Sequence, residues 1–367
     1  MDKELISLES EKLKNGSTEL TLAQINTSAS VEEIVQGFVP TPRFSHVSFE
    51  SYQPDHNYPS QAAALERLGG YVNGLAGGDK PRDRFFGRWL YRQAPLVESP
   101  KGLYLDGGYG VGKTHLLASA YLEAPSPKAY LSFEELTYTF GAMGMQECIR
   151  AFSAYRMLCI DEFELDDVGN TMLAKTFLSA VTQGKTRIIT TSNTLPTELG
   201  QGRFAAQEFK REIGIIAATF EVIRIEGEDY RHRHYNEDGH LPGIYSLPEL
   251  RQSYQNFVPT TGAKLYTTFD GLCNHLEKLH PIRYARLLTP LDAFFIEGLA
   301  PIENQTVALR FVHFIDKLYD QEIGLAVSSS CTLPDLFMSE YRDKGYRKKY
   351  QRCLSRLTEL LKEWKTT

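Results

Sequence analysis

Between residues 101 and 227 the chain alternates short runs of consecutive apolar residues with segments whose apolar positions return at helical spacing. The runs are Gly102-Leu103-Tyr104-Leu105, Ala129-Tyr130-Leu131-Ser132-Phe133, Met157-Leu158-Cys159-Ile160, Arg187-Ile188-Ile189-Thr190-Thr191 and Phe220-Glu221-Val222-Ile223-Arg224-Ile225. Between them the pattern predicts helices over residues 113–122, 171–182 and 203–218, and an amphipathic stretch ending at Arg150. Apolar strands separated by helices predict a parallel sheet covered on both faces. Upstream, Ser30 and Glu33 form a capping box for a short helix. An extended segment rich in aromatics and proline then leads into a helix that starts near Ser60 and carries Gln61 and Leu65. After Gly227 the texture turns polar and Gly- and Pro-punctuated, which marks a domain boundary. Beyond it come a strand over 293–296, a helix over 307–318, a strand over 323–327 and a closing helix over 348–364. The expected organisation is a polar N-terminal tail (1–40), an α/β core (41–227) and a C-terminal α/β and helical domain (228–367).

Composition narrows this only slightly. A chain of 367 residues, 42% hydrophobic and 23% charged, has the make-up of a globular protein with two domains. A formal charge of −6 argues against a dedicated nucleic-acid binder. The five cysteines are scattered and never spaced as CxxC, so reduced core thiols are expected rather than a disulfide framework or a metal site. His232 and His234 lack an acidic or cysteine partner and read as surface polarity. The N-terminus Met1-Asp2-Lys3-Glu4-Leu5 has no secretory pattern, and no run approaches the roughly 20 apolar residues of a membrane span. A cytoplasmic protein with at most peripheral membrane contact is expected.

The chemistry lies at the ends of the predicted strands. Phosphates need many donors close together and no side chains in the way, and glycines let backbone N–H groups wrap them. The run Gly107-Gly108-Tyr109-Gly110-Val111-Gly112-Lys113-Thr114, with His115 after it, follows a strand and opens a helix, whose N-terminal end favours anions. Lys113 is expected on the β- and γ-phosphates of ATP, and the Thr114 hydroxyl on Mg²⁺. One strand later, Asp161 is expected to hold Mg²⁺ through its waters, and Glu162 to polarise the attacking water. Asn193, ending Thr191-Ser192-Asn193, sits where an amide reaches both the γ-phosphate and that water. The completing arginine is expected from a neighbouring subunit; Arg211 is favoured over Arg203. Phe44, Phe49, Tyr52 and Gln61 either cradle the adenine or pack the core. These motifs predict a RecA-like P-loop ATPase. No Asn-Lys-x-Asp stretch supports a GTPase, and no candidate acceptor site supports a small-molecule kinase.

An internal echo follows. Ile160 to Ser192 and Ile296 to Ser328 are both 32 residues apart, and Thr-Leu-Pro follows each, from Thr194 and from Thr332. Old duplication, two instances of a common unit, and chance all account for it. Ile296 is followed by Glu297-Gly298 rather than by an acid pair, so one active nucleotide site is expected.

The chain resembles the ZapE-like AAA+ ATPases from about residue 36 onward. The resemblance rests on Pro59-Ser60-Gln61-Ala62-Ala63, the loop 105–114, Ile160-Asp161-Glu162-Phe163-Glu164, Thr191-Ser192-Asn193 and Gly227-Glu228-Asp229-Tyr230-Arg231. Residues 311–320 and Ser355-Arg356-Leu357 carry it into the C-terminal part. The family's Arg-x-x-Phe-Leu-Pro stretch is met here only by Phe209-Lys210-Arg211-Glu212-Ile213, a departure that bears on the arginine. The resemblance implies an ATP-dependent homo-oligomer that remodels protein clients, in bacteria the cell division ring with its tubulin-like protein. A loader ATPase acting on nucleic acid is the alternative, kept open by the basic residues of 344–349 and of the closing helix.

Overall fold

The computed structural model describes residues 18–28, 30–75, 101–165, 168–199, 209–228, 241–338 and 346–364. Arg203, His232 and His234 lie outside the described residues. The chain divides into two compact units, Ser30–Glu237 and Met1–Ala29 with Asp238–Thr367. The first described strand, β1 (Glu19–Leu20), belongs to the second of these.

In the first unit the Ser30–Glu33 capping box is present at the head of α1 (Val31–Gln36). Pro59 opens α2 (Pro59–Leu75), a position where its missing N–H is harmless. Then follow β2 (Gly102–Gly107), α3 (Lys113–Glu123), β3 (Lys128–Ser132), α4 (Phe133–Met143), α5 (Met145–Phe152) and β4 (Met157–Asp161). The unit ends with α6 (Val168–Val181), β5 (Arg187–Ser192), α7 (Lys210–Ala218) and β6 (Phe220–Ile225). All five strands are parallel, in the order β3-β4-β5-β2-β6.

The two-residue period of a strand sends neighbouring side chains to opposite faces. Leu103, Leu105, Cys159 and Ile189 pack with Leu68, Tyr71, Leu116 and Leu117 of α2 and α3 on one side. Tyr104, Leu158, Ile160 and Ile188 pack with Phe177, Leu178, Ile213 and Ile216 of α6 and α7 on the other. This is the P-loop NTPase core of AAA+/RecA-like type that the strand pattern predicts. In such a sheet ligands bind outside the carboxyl ends of the strands.

The second unit holds β7 (Ile244–Tyr245), α8 (Leu247–Asn256), β8 (Ala263–Thr268), α9 (Phe269–Lys278), α10 (Tyr284–Leu288), β9 (Leu291–Leu299), α11 (Gln305–Asp320), β10 (Gly324–Ser329) and α12 (Arg347–Glu363). Its sheet is also wholly parallel, in the order β1-β8-β9-β10-β7. Leu265, Phe294, Ile296, Leu325 and Val327 face α9 to α12, and Ala293, Phe295 and Ala326 face Leu250 and Trp364. The expected C-terminal α/β architecture is therefore present, with more strands than the apolar runs indicate.

Candidate active site

In the loop between β2 and α3 two glycines stand where a side chain would clash or strain the backbone. A Cβ on Gly107 would stand 2.3 Å from the Ile225 carbonyl of β6. Gly112 has φ +88°, and a Cβ there would meet the Tyr52 ring at 2.4 Å. The Tyr52 hydroxyl donates to the Val111 carbonyl at 2.9 Å, and its ring lies edge-on to His115, 5.6 Å between centroids. His115 Nε2 lies 3.1 Å from the Ser48 carbonyl and 2.9 Å from Ser51 Oγ. Burial pushes the imidazole below its ordinary pKa, and the Ser48 contact pulls partly against that. Segment 44–52 thus braces the loop from outside. Phe49 and Tyr52 are buried, with Phe44 packed against the same cluster, so of the two readings of these aromatics the structure exhibits packing.

Gln61 is committed at both ends. Its side-chain oxygen accepts from the Asp55 N–H, and its amide donates to the Glu226 carbonyl, each at 2.9 Å. Ser60 Oγ accepts from the Glu226 N–H at 2.9 Å. The Pro59-Ser60-Gln61 piece therefore fastens the head of α2 to the chain just after β6.

Lys113 is nearly buried, and its ammonium donates to the carbonyls of Gly107 (2.8 Å) and Gly108 (2.5 Å) and to Asn193 Oδ1 (2.8 Å). The loop lysine and the amide at the end of β5 therefore share one site. Asp161, at the end of β4, is the second centre. Its Oδ1 accepts from the Thr114 hydroxyl (3.4 Å), the Thr191 hydroxyl and the Glu162 N–H (3.1 Å); its Oδ2 accepts from the Tyr130 hydroxyl (2.9 Å). Glu162 turns sharply out of the strand with φ 54°, a region few non-glycine residues adopt. Its N–H also donates to Thr191 Oγ1 at 3.0 Å, and the next N–H, of Phe163, donates to the Thr191 carbonyl at 2.8 Å. Such backbone strain tends to collect at functional positions.

A cleft of about 460 Å³ opens beside these groups, within the usual size of small-molecule sites. Tyr58, Asp106, Gly107, Gly108, Asn193, Arg224 and Gly227 are among its lining residues. Arg211 is exposed on the first turn of α7 and does not line the cleft. Two contributors escape sequence reasoning. Tyr130 and Thr191 both read as strand residues only. Their place beside Asp161 follows from strand order, since β3 and β5 flank β4.

Comparison with known proteins points one way. A family model described as AFG1-like ATPase matches residues 47–263 and 255–365. The Escherichia coli K12 cell division protein ZapE is 26% identical over 374 residues, covering 90% of this chain and 97% of its own. An uncharacterized protein of Schizosaccharomyces pombe is 24% identical over 344 residues, covering 75% of each chain. Among solved structures, a putative primosome component from Streptococcus pyogenes is 21% identical and covers 52% of this chain and 91% of its own. Its TM-score is 0.37, too low to carry a functional argument. The family match takes in most of both units and agrees with the phosphate loop and sheet order: the chain belongs to the AFG1-like ATPase family and is a nucleotide-binding ATPase.

Proposed function

We propose that the chain hydrolyses ATP with Mg²⁺ at the β2–α3 loop and works as a nucleotide-dependent homo-oligomer that remodels protein assemblies. The observation that carries the reading is the meeting of four strand-end and loop groups: Lys113 with Asn193, and Thr114 with Asp161.

Lys113 rests on carbonyls of its own loop, a ready position from which it reaches β- and γ-phosphate oxygens. Loop N–H groups and the N-terminus of α3 complete the cradle. The Thr114 hydroxyl and the Asp161 carboxylate form an oxygen-only donor set, which suits a hard cation that keeps much of its water. When bound, Mg²⁺ neutralises charge across the β- and γ-phosphoryl oxygens. Glu162 orients the attacking water as general base, and Asn193 aligns that water with the γ-phosphate. Arg211, exposed on α7, serves the site of the adjacent copy.

The printed name of the relative, a cell division protein, supports a role in cell division. A cytoplasmic setting and a tubulin-like division protein as client complete the proposal, as the sequence resemblance implies. Among the described residues no helix is long and apolar enough to cross a membrane. The test is Glu162→Gln. ATP binding should persist while steady-state hydrolysis falls about 10²–10⁴-fold; parental turnover by this variant sinks the mechanism. Hydrolysis stimulated by DNA in a salt-sensitive way would favour the nucleic-acid loader instead.

A further inference from the structure

Laid strand on strand, the two sheets share more than class. The first runs β3-β4-β5-β2 before its last strand, and the second runs β8-β9-β10-β7 after its first. One helix joins β2 to β3 and one joins β7 to β8. Two lie between β3 and β4 and two between β8 and β9; one lies between β4 and β5 and one between β9 and β10. The Thr-Leu-Pro stretches after β5 and β10 each lead into a single 3₁₀ turn, Pro196–Glu198 and Leu333–Leu336.

Polar groups repeat as well: Lys128, Tyr130, Ser132, Asp161 and Glu162 stand at one constant offset from Lys264, Tyr266, Thr268, Glu297 and Gly298, while the groups they bond to keep the place but not the strict spacing. Lys128 Nζ donates to the Leu122 and Ala124 carbonyls, both at 2.9 Å, and lies 4.7 Å from the Tyr121 ring centroid. Lys264 Nζ donates to the Tyr254 (2.7 Å) and Phe257 (3.0 Å) carbonyls and lies 4.5 Å from the Tyr254 centroid. Two residues on, the Tyr130 hydroxyl donates to Asp161 at 2.9 Å, and the Tyr266 hydroxyl to Glu297 at 2.5 Å. Ser132 caps α4 ahead of Phe133, and Thr268 caps α9 ahead of Phe269. Ser132 is in register with Asp161, and Thr268 with Glu297. The bend after the acid is kept too. Glu162 has φ 54° and Gly298 φ 78°, and their N–H groups donate to Thr191 Oγ1 and Ser328 Oγ at 3.0 and 2.9 Å.

What differs is the chemistry. Five residues, 108–112, separate β2 from α3, whereas Ser246 alone separates β7 from α8. Gly298 replaces the base at Glu162, and Ser329 stands at the offset of Asn193. In place of Thr114 reaching Asp161 from α3, Arg251 reaches Glu297 from α8, with Nη2 3.2 and 3.3 Å from the two carboxylate oxygens.

We infer that the second unit is a copy of the nucleotide-binding unit that has lost its phosphate loop, with Arg251 standing where the first unit holds its cation, so that each chain carries a single nucleotide site. Ion-pair and hydrogen-bond demands of the strand-end acid survive in the copy, while every group needed for phosphate or water is gone. This rests on the reading of the first site given above. Equilibrium dialysis of the full chain with a non-hydrolysable ATP analogue tests it, with wild type and Lys113→Ala in parallel. The expected result is a single analogue per wild-type chain and none on the variant. Two per wild-type chain, or one retained by Lys113→Ala, overturns the inference. No binding to either protein would sink the reading of the first site, yet it would agree with a closed second one. A carboxyl titration of Glu297 by NMR tests the role of Arg251. Its midpoint should rise in Arg251→Ala and return most of the way in Arg251→Lys; an unmoved midpoint in Arg251→Ala removes Arg251 from the cation position.

Discussion

The two units end corresponding strands, β4 and β9, in different ways. The first finishes on Asp161-Glu162, next to a glycine-rich loop that leaves space for a ligand. The second carries Glu297-Gly298 just ahead of its last residue, Leu299, next to a helix that begins almost at once after β7 and carries its own cation. The order of four strands, the carbonyl-bound lysine of β3 and β8, the tyrosine–carboxylate bond and the bend are shared. A scaffold can thus be kept while the reaction is removed, because the scaffold rests on packing and the reaction on a few groups at strand ends. The second unit has also placed its strongest electrostatics elsewhere. Asp316 on α11 is buried and meets Arg352 and Arg356 of α12, each at 2.6 Å.

The sharpest way to break this contrast is through Arg211. If the first unit is catalytic and completed by another copy, Arg211→Ala should lower steady-state hydrolysis by about 10³–10⁵-fold with nucleotide binding retained. Mixing that variant with Glu162→Gln should recover part of the activity, because some interfaces then combine an intact base with an intact arginine. A loss below tenfold, or no recovery on mixing, moves the completing role to another residue.

Next in size is Asp316→Asn, which leaves two guanidinium groups buried against a neutral amide. Removing one partner of a buried pair costs about 3–5 kcal/mol, read as the drop in chemical unfolding stability of the second unit. The nucleotide affinity of the first unit should be unchanged at low denaturant. Burial alone pushes the Asp316 carboxyl up, but the charges of Arg352, Arg356 and His313 outweigh it and hold the group well below the usual carboxylate range. A depressed folded pKa gives stability that is full above the unfolded value of about 4 and is lost as pH falls below it. Wild type should therefore show a steeper acid-side loss than Asp316→Asn. Parallel acid limbs would detach Asp316 from the stability of α11 and α12.

How much of this was legible beforehand follows from where each signal resides. Four strands of the first unit announce themselves because both faces of the sheet are covered, which leaves apolar runs; the edge strand β6 shows instead as apolar positions interrupted by Glu221 and Arg224. In the second sheet β8 carries Lys264 near its start and a tyrosine and two threonines further on, and so reads as polar; the lysine is buried, satisfied by carbonyls at the end of α8. Strands β1 and β7 have two residues each, too few for any period to show. At the site, residues contiguous with the phosphate loop or the acid pair were readable from local spacing. Tyr130 and Thr191 were not, since only strand order sets them beside Asp161. The pieces 311–320 and 355–357 stood out as resemblance without a reason; the Asp316–Arg356 pair supplies one. Gln61 was open between adenine and core, and the two backbone partners of its amide fasten it to the scaffold.

The smallest effects expected come from a mirrored pair, Tyr130→Phe and Tyr266→Phe. Each removes one hydroxyl bond to a strand-end carboxylate and should lower stability by about 1 kcal/mol. Stability alone therefore does not distinguish the two units, but function should. Tyr130 orients the carboxylate proposed to serve the metal, and losing such support typically weakens metal affinity by about 10–100-fold. Hydrolysis by Tyr130→Phe should then require a correspondingly higher Mg²⁺ concentration for half-maximal rate, at unchanged saturating nucleotide. Tyr266 orients Glu297 toward Arg251, an acid whose cation is already built into the chain, so Tyr266→Phe should leave the Mg²⁺ dependence where it was. Equal displacement of the two Mg²⁺ curves would mean that the second strand end still acts on the reaction, and a flat response from both would take Asp161 out of the metal site.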